Sequence, residues 1–192
     1  KAMHREGIFV LPNAWDVASA CVLADVGYQA IATTSGGCAF SMGFCDGEHI
    51  GRDGMAEVVR RMAGGVSIPV SADMEAGYGP TTDDVAMAVK AALDAGAVGV
   101  NIEDGDKSGP RRLHDLDLAI SRVKAARKAA DDFGIPAVIN ARTDGYMLGS
   151  EDDMFDETVR RANAYLEAGA DCAFVIGARD GELIGRLAAS ID

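Results

Sequence analysis

The sequence predicts an α/β fold, a (β/α)8 TIM-type barrel of which about six βα units lie in this chain. Three observations lead there. Strand-like and helix-like segments alternate along the 192 residues. The strand-like runs are continuously apolar rather than alternating, as in strands buried on both faces of a parallel sheet. Polar residues gather at the C-terminal ends of nearly all of these runs. In a doubly wound sheet the ligand sits at one switch point and most strand ends stay bland. In a barrel all strand ends converge on one mouth.

Taken in order, strand runs are predicted at 8–11, 30–34, 69–72, 99–102, 137–140 and 172–176, and helices at 16–26, 53–63, 83–94, 116–133, 152–167 and 181–190. In the fourth helix Leu116, Ile120, Val123, Ala126 and Ala130 recur at helical spacing with charges between them. Thr81 or Thr82 suits the N-cap of the third helix, with Asp83 and Asp84 in its first turn. Three helix ends look alike: each runs into a glycine (Gly27, Gly96, Gly169) and a buried strand follows shortly after. Glycine there supplies a left-handed C-cap. The three glycines stand roughly 70 residues apart, which is two βα units per interval.

The composition, 48% hydrophobic with a mean hydropathy of +0.06, suits one domain over residues 1–192. Six units are two short of a closed barrel, so about 50–70 further residues after Asp192 and a few before Lys1 are expected. A net charge of -12 repels phosphate backbones and anionic lipids, which argues against nucleic acid and membrane as partners. No run approaches the roughly 20 apolar residues of a membrane span. Cys21, Cys38, Cys45 and Cys172 form no CxxC pair, so they read as reduced thiols packed in a cytoplasmic protein without a leader peptide.

The strand ends carry the chemistry. Asn13 follows the first run, Ser35 the second, Asp73 and Glu75 the third, Glu103 and Asp104 the fourth, and Arg142 and Asp144 the fifth; Asp46 lies in the loop after the second. Residues two apart on a strand share a face, so Asp73 and Glu75 are expected to point the same way. Four carboxylates at one mouth repel one another unless a cation sits among them. The donors are oxygens only, which favours a hard ion, Mg²⁺ with Mn²⁺ as the alternative. The rival reading is that these acids cap helices or pair with surface arginines. Arg142 matches a substrate carboxylate bidentately, or else forms a structural salt bridge to Asp144 or Glu103. Ser35-Gly36-Gly37 reads as a small-residue turn whose N–H groups suit an anion, or as a plain tight turn. Gly77-Tyr78-Gly79-Pro80 bends the chain after the acidic pair and matches no nucleotide-binding pattern. His4 and His49 read as solvated, while His114 is placed to reach the mouth. Trp15 walls the pocket or packs, and Cys45 packs rather than attacks.

These residues resemble the isocitrate lyase / phosphoenolpyruvate mutase superfamily, on its mutase-like branch. The resemblance runs from Leu11-Pro12-Asn13-Ala14-Trp15-Asp16 onward. It is most specific at 71–79, where Asp73-Met74-Glu75 lies, at Asn101-Ile102-Glu103-Asp104, and at Asn140-Ala141-Arg142-Thr143-Asp144. Thr34-Ser35-Gly36-Gly37 and Gly43-Phe44-Cys45-Asp46 match more loosely. The resemblance implies a barrel, a homo-oligomer (dimer or tetramer), that binds Mg²⁺ and a 2-oxo acid or phosphonate. By carry-over Asp73 binds the metal directly, and Asp46, Glu75 and Glu103 hold its waters. Arg142 grips the substrate carboxylate and residues 35–37 its oxygens. The chemistry implied is enolate chemistry at C3.

Three departures separate the chain from the superfamily's C–C lyases. Glu75 stands where the familiar acidic pair has a second Asp. The lyases' Lys-Lys/Arg-Cys-Gly-His loop is replaced by Gly105-Asp106-Lys107-Ser108-Gly109-Pro110-Arg111-Arg112, without Cys. Their Glu near the end of the sixth strand is replaced by Ile176-Gly177. The expected function is therefore that of a mutase, hydrolase, C–C lyase or decarboxylase, with Lys107, Arg111, Arg112 and His114 on a specificity lid. The alternative is a catalytically silent relative that binds a small acid or serves as an assembly partner.

Overall fold

The structure, a computed structural model, describes residues 1–5 and 7–192, at 151 and 152 the backbone only. The strands are β1 (Asn13–Ala14), β2 (Ile31–Thr33), β3 (Val70–Asp73), β4 (Gly99–Glu103), β5 (Gly105–Asp106), β6 (Arg112–Leu113), β7 (Val138–Thr143) and β8 (Cys172–Val175). The α-helices are α1 (Val17–Val26), α2 (Ser35–Ser41), α3 (Arg52–Gly65), α4 (Thr82–Asp94), α5 (Leu116–Phe133), α6 (Glu151–Glu167) and α7 (Gly181–Ser190).

Six strands form one parallel sheet in the order β1-β2-β3-β4-β7-β8, which is chain order. A doubly wound sheet reverses its order at a switch point. This one never reverses, so the winding is that of a barrel. The helices follow the same succession: α1 packs on α3, α3 on α4, α4 on α5, α5 on α6 and α6 on α7. The main core lies between sheet and helices and is built of Ala, Val, Met and Ile, among them Met55, Val59, Val85, Val89, Val100 and Ile139. Gly27, Gly96 and Gly169 all have positive φ, as the helix ends demand. Thr81 caps α4 in a reciprocal box with Asp84.

Four expectations need correction. Residues 8–11 form no strand, and Ile8 and Val10 are exposed. Proline has no N–H to give a ladder, and the pairing starts with the Ala32 N–H donating to the Pro12 carbonyl at 2.8 Å. Asn13 thus lies within β1 rather than beyond it. The fifth run extends to Thr143 and takes Arg142 into β7. Ser35-Gly36-Gly37 is the first turn of α2 rather than a free turn, N-capped by Thr34. A Cβ at Gly37 would fall 2.7 Å from Thr34 Cγ2 and 2.9 Å from Trp15 Cβ, so only glycine fits. Of the cysteines only Cys38 is buried, and Cys45 is exposed rather than packed. Among the described residues no helix is long and apolar enough to cross a membrane.

Candidate active site

Asp73, the last residue of β3, is held from both sides. Its Oδ2 accepts from the Ser35 N–H at 3.1 Å, and its Oδ1 accepts from Asn101 Nδ2 at 3.1 Å and from the Glu75 N–H at 3.3 Å. Asn140 Nδ2 in turn donates to Asn101 Oδ1 at 3.0 Å. A polar chain therefore crosses β7, β4 and β3 and ends at the first turn of α2. Asp73 and Asn101 line a cavity of about 360 Å³ inside the sheet's curve, together with Asn13 and Asn140.

Glu75 does not extend the strand alternation. β3 ends at Asp73, and Glu75 adopts φ = 48°, left-handed for a non-glycine residue. Two more such residues stand beside it, Glu48 (φ 69°) and Tyr78 (φ 59°). Their hydrogen bonds explain the strain. The Glu48 N–H donates to Glu75 Oε2 at 2.7 Å, and the Tyr78 N–H donates to Glu48 Oε1 at 2.6 Å. The loop bearing Asp46 is thereby fastened to the turn after β3. From behind, the buried Arg122 of α5 donates to the carbonyls of Ala76, Gly79 and Thr81 and fixes that turn. Asp46 itself is exposed, and its carboxyl carbon lies 3.3 Å from where a Cβ would sit on Gly36.

Arg142 is the centre of the second half. Its Nε and Nη2 form a fork on Asp144 at 2.6 and 3.1 Å, and its Nη1 meets Glu103 Oε2 at 2.9 Å. Lys107 pairs with the other Glu103 oxygen. The structural pairing of Arg142 with Asp144 and Glu103 is therefore present. Three of the guanidinium's five donors are engaged, and the remainder can take a ligand. Asp46, Lys107 and Arg142 line one mouth cavity of about 350 Å³, with Arg111, Arg112 and His49. The antiparallel ribbon β5–β6 forms its rim.

Burial drives the electrostatics. Glu75 is 2% exposed, and burial, reinforced by the Asp46 charge, lifts its carboxyl to about 7 although the Glu48 N–H opposes this. Burial also lifts Glu103 to about 7 against the pull of Arg142. For Lys107 burial works downward, but Glu103, Asp144 and Glu75 outweigh it and hold the ammonium above its usual range.

Among the described residues no three His, Cys, Asp or Glu side chains converge closely enough to hold a metal without help. The donor set nonetheless fits a hard cation bound largely through water. Every donor is an oxygen, Glu75 Oε1 is buried without a hydrogen-bond partner, and burial holds the Glu75 carboxyl well above its usual range. Asp73, Glu75, Glu103 and Asp46 would be its direct or water-mediated holders.

The other expected residues lie further out. Ser35 contributes its N–H to Asp73, whereas Gly36 and Gly37 serve close packing. Trp15 is 49% exposed and lines neither cavity. His114 does not line the mouth. Its N–H donates to the Asp104 carbonyl and its own carbonyl accepts from Arg161. Glu48, Asn101 and Asn140 are joined by hydrogen bonds to this candidate site, and the sequence did not place them there. The two asparagines were within reach, since each sits two positions before Glu103 or Arg142 on the same strand face.

The comparisons agree with this architecture. The family described as phosphoenolpyruvate phosphomutase matches residues 1–192. An uncharacterized protein of Mycobacterium tuberculosis is 36% identical over 98% of this chain and 69% of its own length. The 2-methylisocitrate lyase of Escherichia coli is 32% identical over 90% of this chain, which matches only 59% of that enzyme's length. Among solved structures, 2,3-dimethylmalate lyase, a PEP mutase/isocitrate lyase superfamily member, superposes with a TM-score of 0.87 at 28% identity, over 96% of this chain and 64% of that one. Family match, relatives and strand order thus converge: the chain belongs to the phosphoenolpyruvate phosphomutase family within the PEP mutase/isocitrate lyase superfamily and is an enzyme of the lyase or mutase type.

Proposed function

We propose that the chain belongs to a divalent-cation-dependent enzyme that acts at C3 of a 2-oxo acid through an enolate. Phosphonopyruvate-type mutase or hydrolase chemistry is the leading form, and C–C cleavage or decarboxylation the related one. The observation that carries the reading is the buried, unpartnered Glu75 Oε1 beside the pre-positioned Asp73, with the Arg142 fork at the same end of the sheet. When bound, Mg²⁺ or Mn²⁺ would supply positive charge to the keto oxygen as it takes on enolate charge.

The chain's own residues do the rest. Arg142, oriented by Asp144 and Glu103, grips the substrate carboxylate with its uncommitted N–H groups. Asp73 arrives pre-oriented by Ser35 and Asn101, so little reorganisation is needed on binding. Asp46 reaches the mouth as the group able to move a proton near C3, Lys107 adds a fixed positive charge beside Glu103, and the β5–β6 ribbon borders the cavity. His114 acts at most through the ribbon's base, which it shares with Asp104 and Arg161. Turnover of phosphonopyruvate, oxaloacetate and 2-methylisocitrate with Mg²⁺ or Mn²⁺ tests the reading: one is consumed, and Asp73→Ala abolishes the activity. Undiminished activity in that variant sinks the assignment.

The silent-binder reading draws on the occupied Arg142 and the missing loop cysteine. Binding of oxalate without turnover of any of the three acids would favour it.

The same reading includes a complete eight-unit barrel and a cytoplasmic homo-oligomer. The edges of the sheet at β1 and β8 support the first. Exposed Val17, Val22 and Val26 on α1 and Phe40 and Phe44 near α2 support the second. Light scattering on the whole protein should give a dimer or tetramer.

A further inference from the structure

We propose that Arg111 selects substrates carrying a second anionic group beyond the end held by Arg142. The proposal rests on the reading of the site given above and names its specificity residue.

Arg142 is committed to Asp144 and Glu103, and Lys107 to Glu103. Arg112 is committed to Asp106 at 2.6 Å. Asp106 also accepts from the Ser108 N–H at 2.8 Å and from Ser108 Oγ at 2.6 Å, so most of its acceptor positions are taken within the ribbon. Arg111 alone among these cations has no carboxylate partner among the described residues, yet it lines the same cavity as Arg142. Its position is not arbitrary. The ribbon register pairs Asp106 with Arg112 and Gly105 with Leu113, so residues 107–111 form a tip closed off by the Asp106 bonds. Arg111 is therefore presented by a braced element.

The cavity leaves room for the partner. A volume of about 350 Å³ exceeds what a three-carbon acid fills and falls in the range of ligand pockets, roughly 300–1,000 Å³. In a protein of net charge -12, an unpaired guanidinium facing such a cavity favours an anion with two oxygens in one plane or fork, as in a carboxylate, phosphonate or sulfonate. Arg142 takes the carboxylate end, and Arg111 takes the group attached at or beyond C3.

Calorimetry in Mg²⁺ with two probes tests this on the whole protein. Oxalate mimics the enolate end alone, and 3-sulfopyruvate adds a distal sulfonate. Arg111→Ala should weaken sulfopyruvate about 10-fold or more, as expected for loss of a charge-assisted contact, and leave oxalate within about twofold. Arg111→Lys should recover part of the loss. Unchanged sulfopyruvate affinity in Arg111→Ala overturns the proposal. So does a parallel loss of both probes, which would mark Arg111 as a support of the ribbon. Wild type that binds oxalate but not sulfopyruvate also overturns it. Wild type that binds neither overturns the functional reading beneath it.

Discussion

The backbone N–H of Glu48 donates to the carboxylate of Glu75 at 2.7 Å, and both residues hold left-handed backbone to make that bond possible. Glu48 then accepts the Tyr78 N–H with its own carboxylate. The Asp46 loop and the acidic turn after β3 thus lock each other. Glu48→Ala removes the acceptor for Tyr78 and should cost about 1–2 kcal/mol of stability, measured by urea unfolding. It should also weaken Mn²⁺ binding, because Asp46 loses its anchor. Glu48→Gln keeps a carbonyl acceptor and should restore most of both. Equal effects of Ala and Gln would show that charge, not the lock, matters.

The fork between Arg142 and Asp144 sets the second expectation. Arg142→Lys keeps the charge but loses the planar two-point contact, so oxalate affinity should fall about 10-fold. Asp144→Asn should weaken oxalate less, since Glu103 still holds Nη1. If Arg142→Lys binds oxalate as wild type does, the clamp assignment is wrong.

Asp104 is the hidden hub of the site's base. Its Oδ1 accepts from the Asp144 N–H at 2.9 Å, and its Oδ2 accepts from the Tyr165 hydroxyl at 2.6 Å and from Arg161 at 3.3 Å. All three partners are buried or nearly so. Asp104→Ala leaves the Arg161 guanidinium with Glu157 as its only carboxylate among the described residues and should cost about 3–5 kcal/mol. Chemical denaturation reads this directly. A loss under about 1 kcal/mol would mean the network relaxes around the deletion.

The pH dependence follows from Glu75. Its carboxyl titrates near 7 in the fold and near 4.5 when free of it, so the folded state holds the proton more tightly. Without divalent cations, Glu75 therefore contributes stability that is fully present below about 4.5 and is lost as pH rises through 7, about 3 kcal/mol in all. Glu75→Gln should flatten this slope. Added Mg²⁺ should flatten it in wild type and leave Glu75→Gln unchanged. A metal-free pH dependence between pH 5 and 8 that is identical in wild type and Glu75→Gln would contradict the assignment.

Much of this was legible because barrels put function at strand ends. Position alone put Asp73, Glu103 and Arg142 at the strand ends, and the structure has Asp73 and Glu103 last in β3 and β4 and Arg142 near the end of β7. What escaped did so for identifiable reasons. Residues 8–11 look strand-like by composition, yet register, which no local pattern contains, starts the pairing at Pro12. Gly36 and Gly37 read as turn formers, whereas contacts with Asp46, Thr34 and Trp15 require their smallness. The β5–β6 ribbon is too short to leave a periodic signal. Glu48 acts through a backbone N–H, and the buried Arg122 through carbonyls of a distant loop, so neither betrays its role by residue type or spacing.

The central claim is that Asp73 and Glu75 form a cation site that completes an acid-binding pocket. Calorimetric titration of oxalate into wild type and Asp73→Asn, each with Mg²⁺ and with chelator, tests it most directly. The account predicts oxalate binding in wild type with Mg²⁺ and loss of at least about 100-fold in the other three conditions, an interaction of roughly 2.7 kcal/mol. Oxalate binding that is equally strong with chelator present, or in Asp73→Asn, would contradict it.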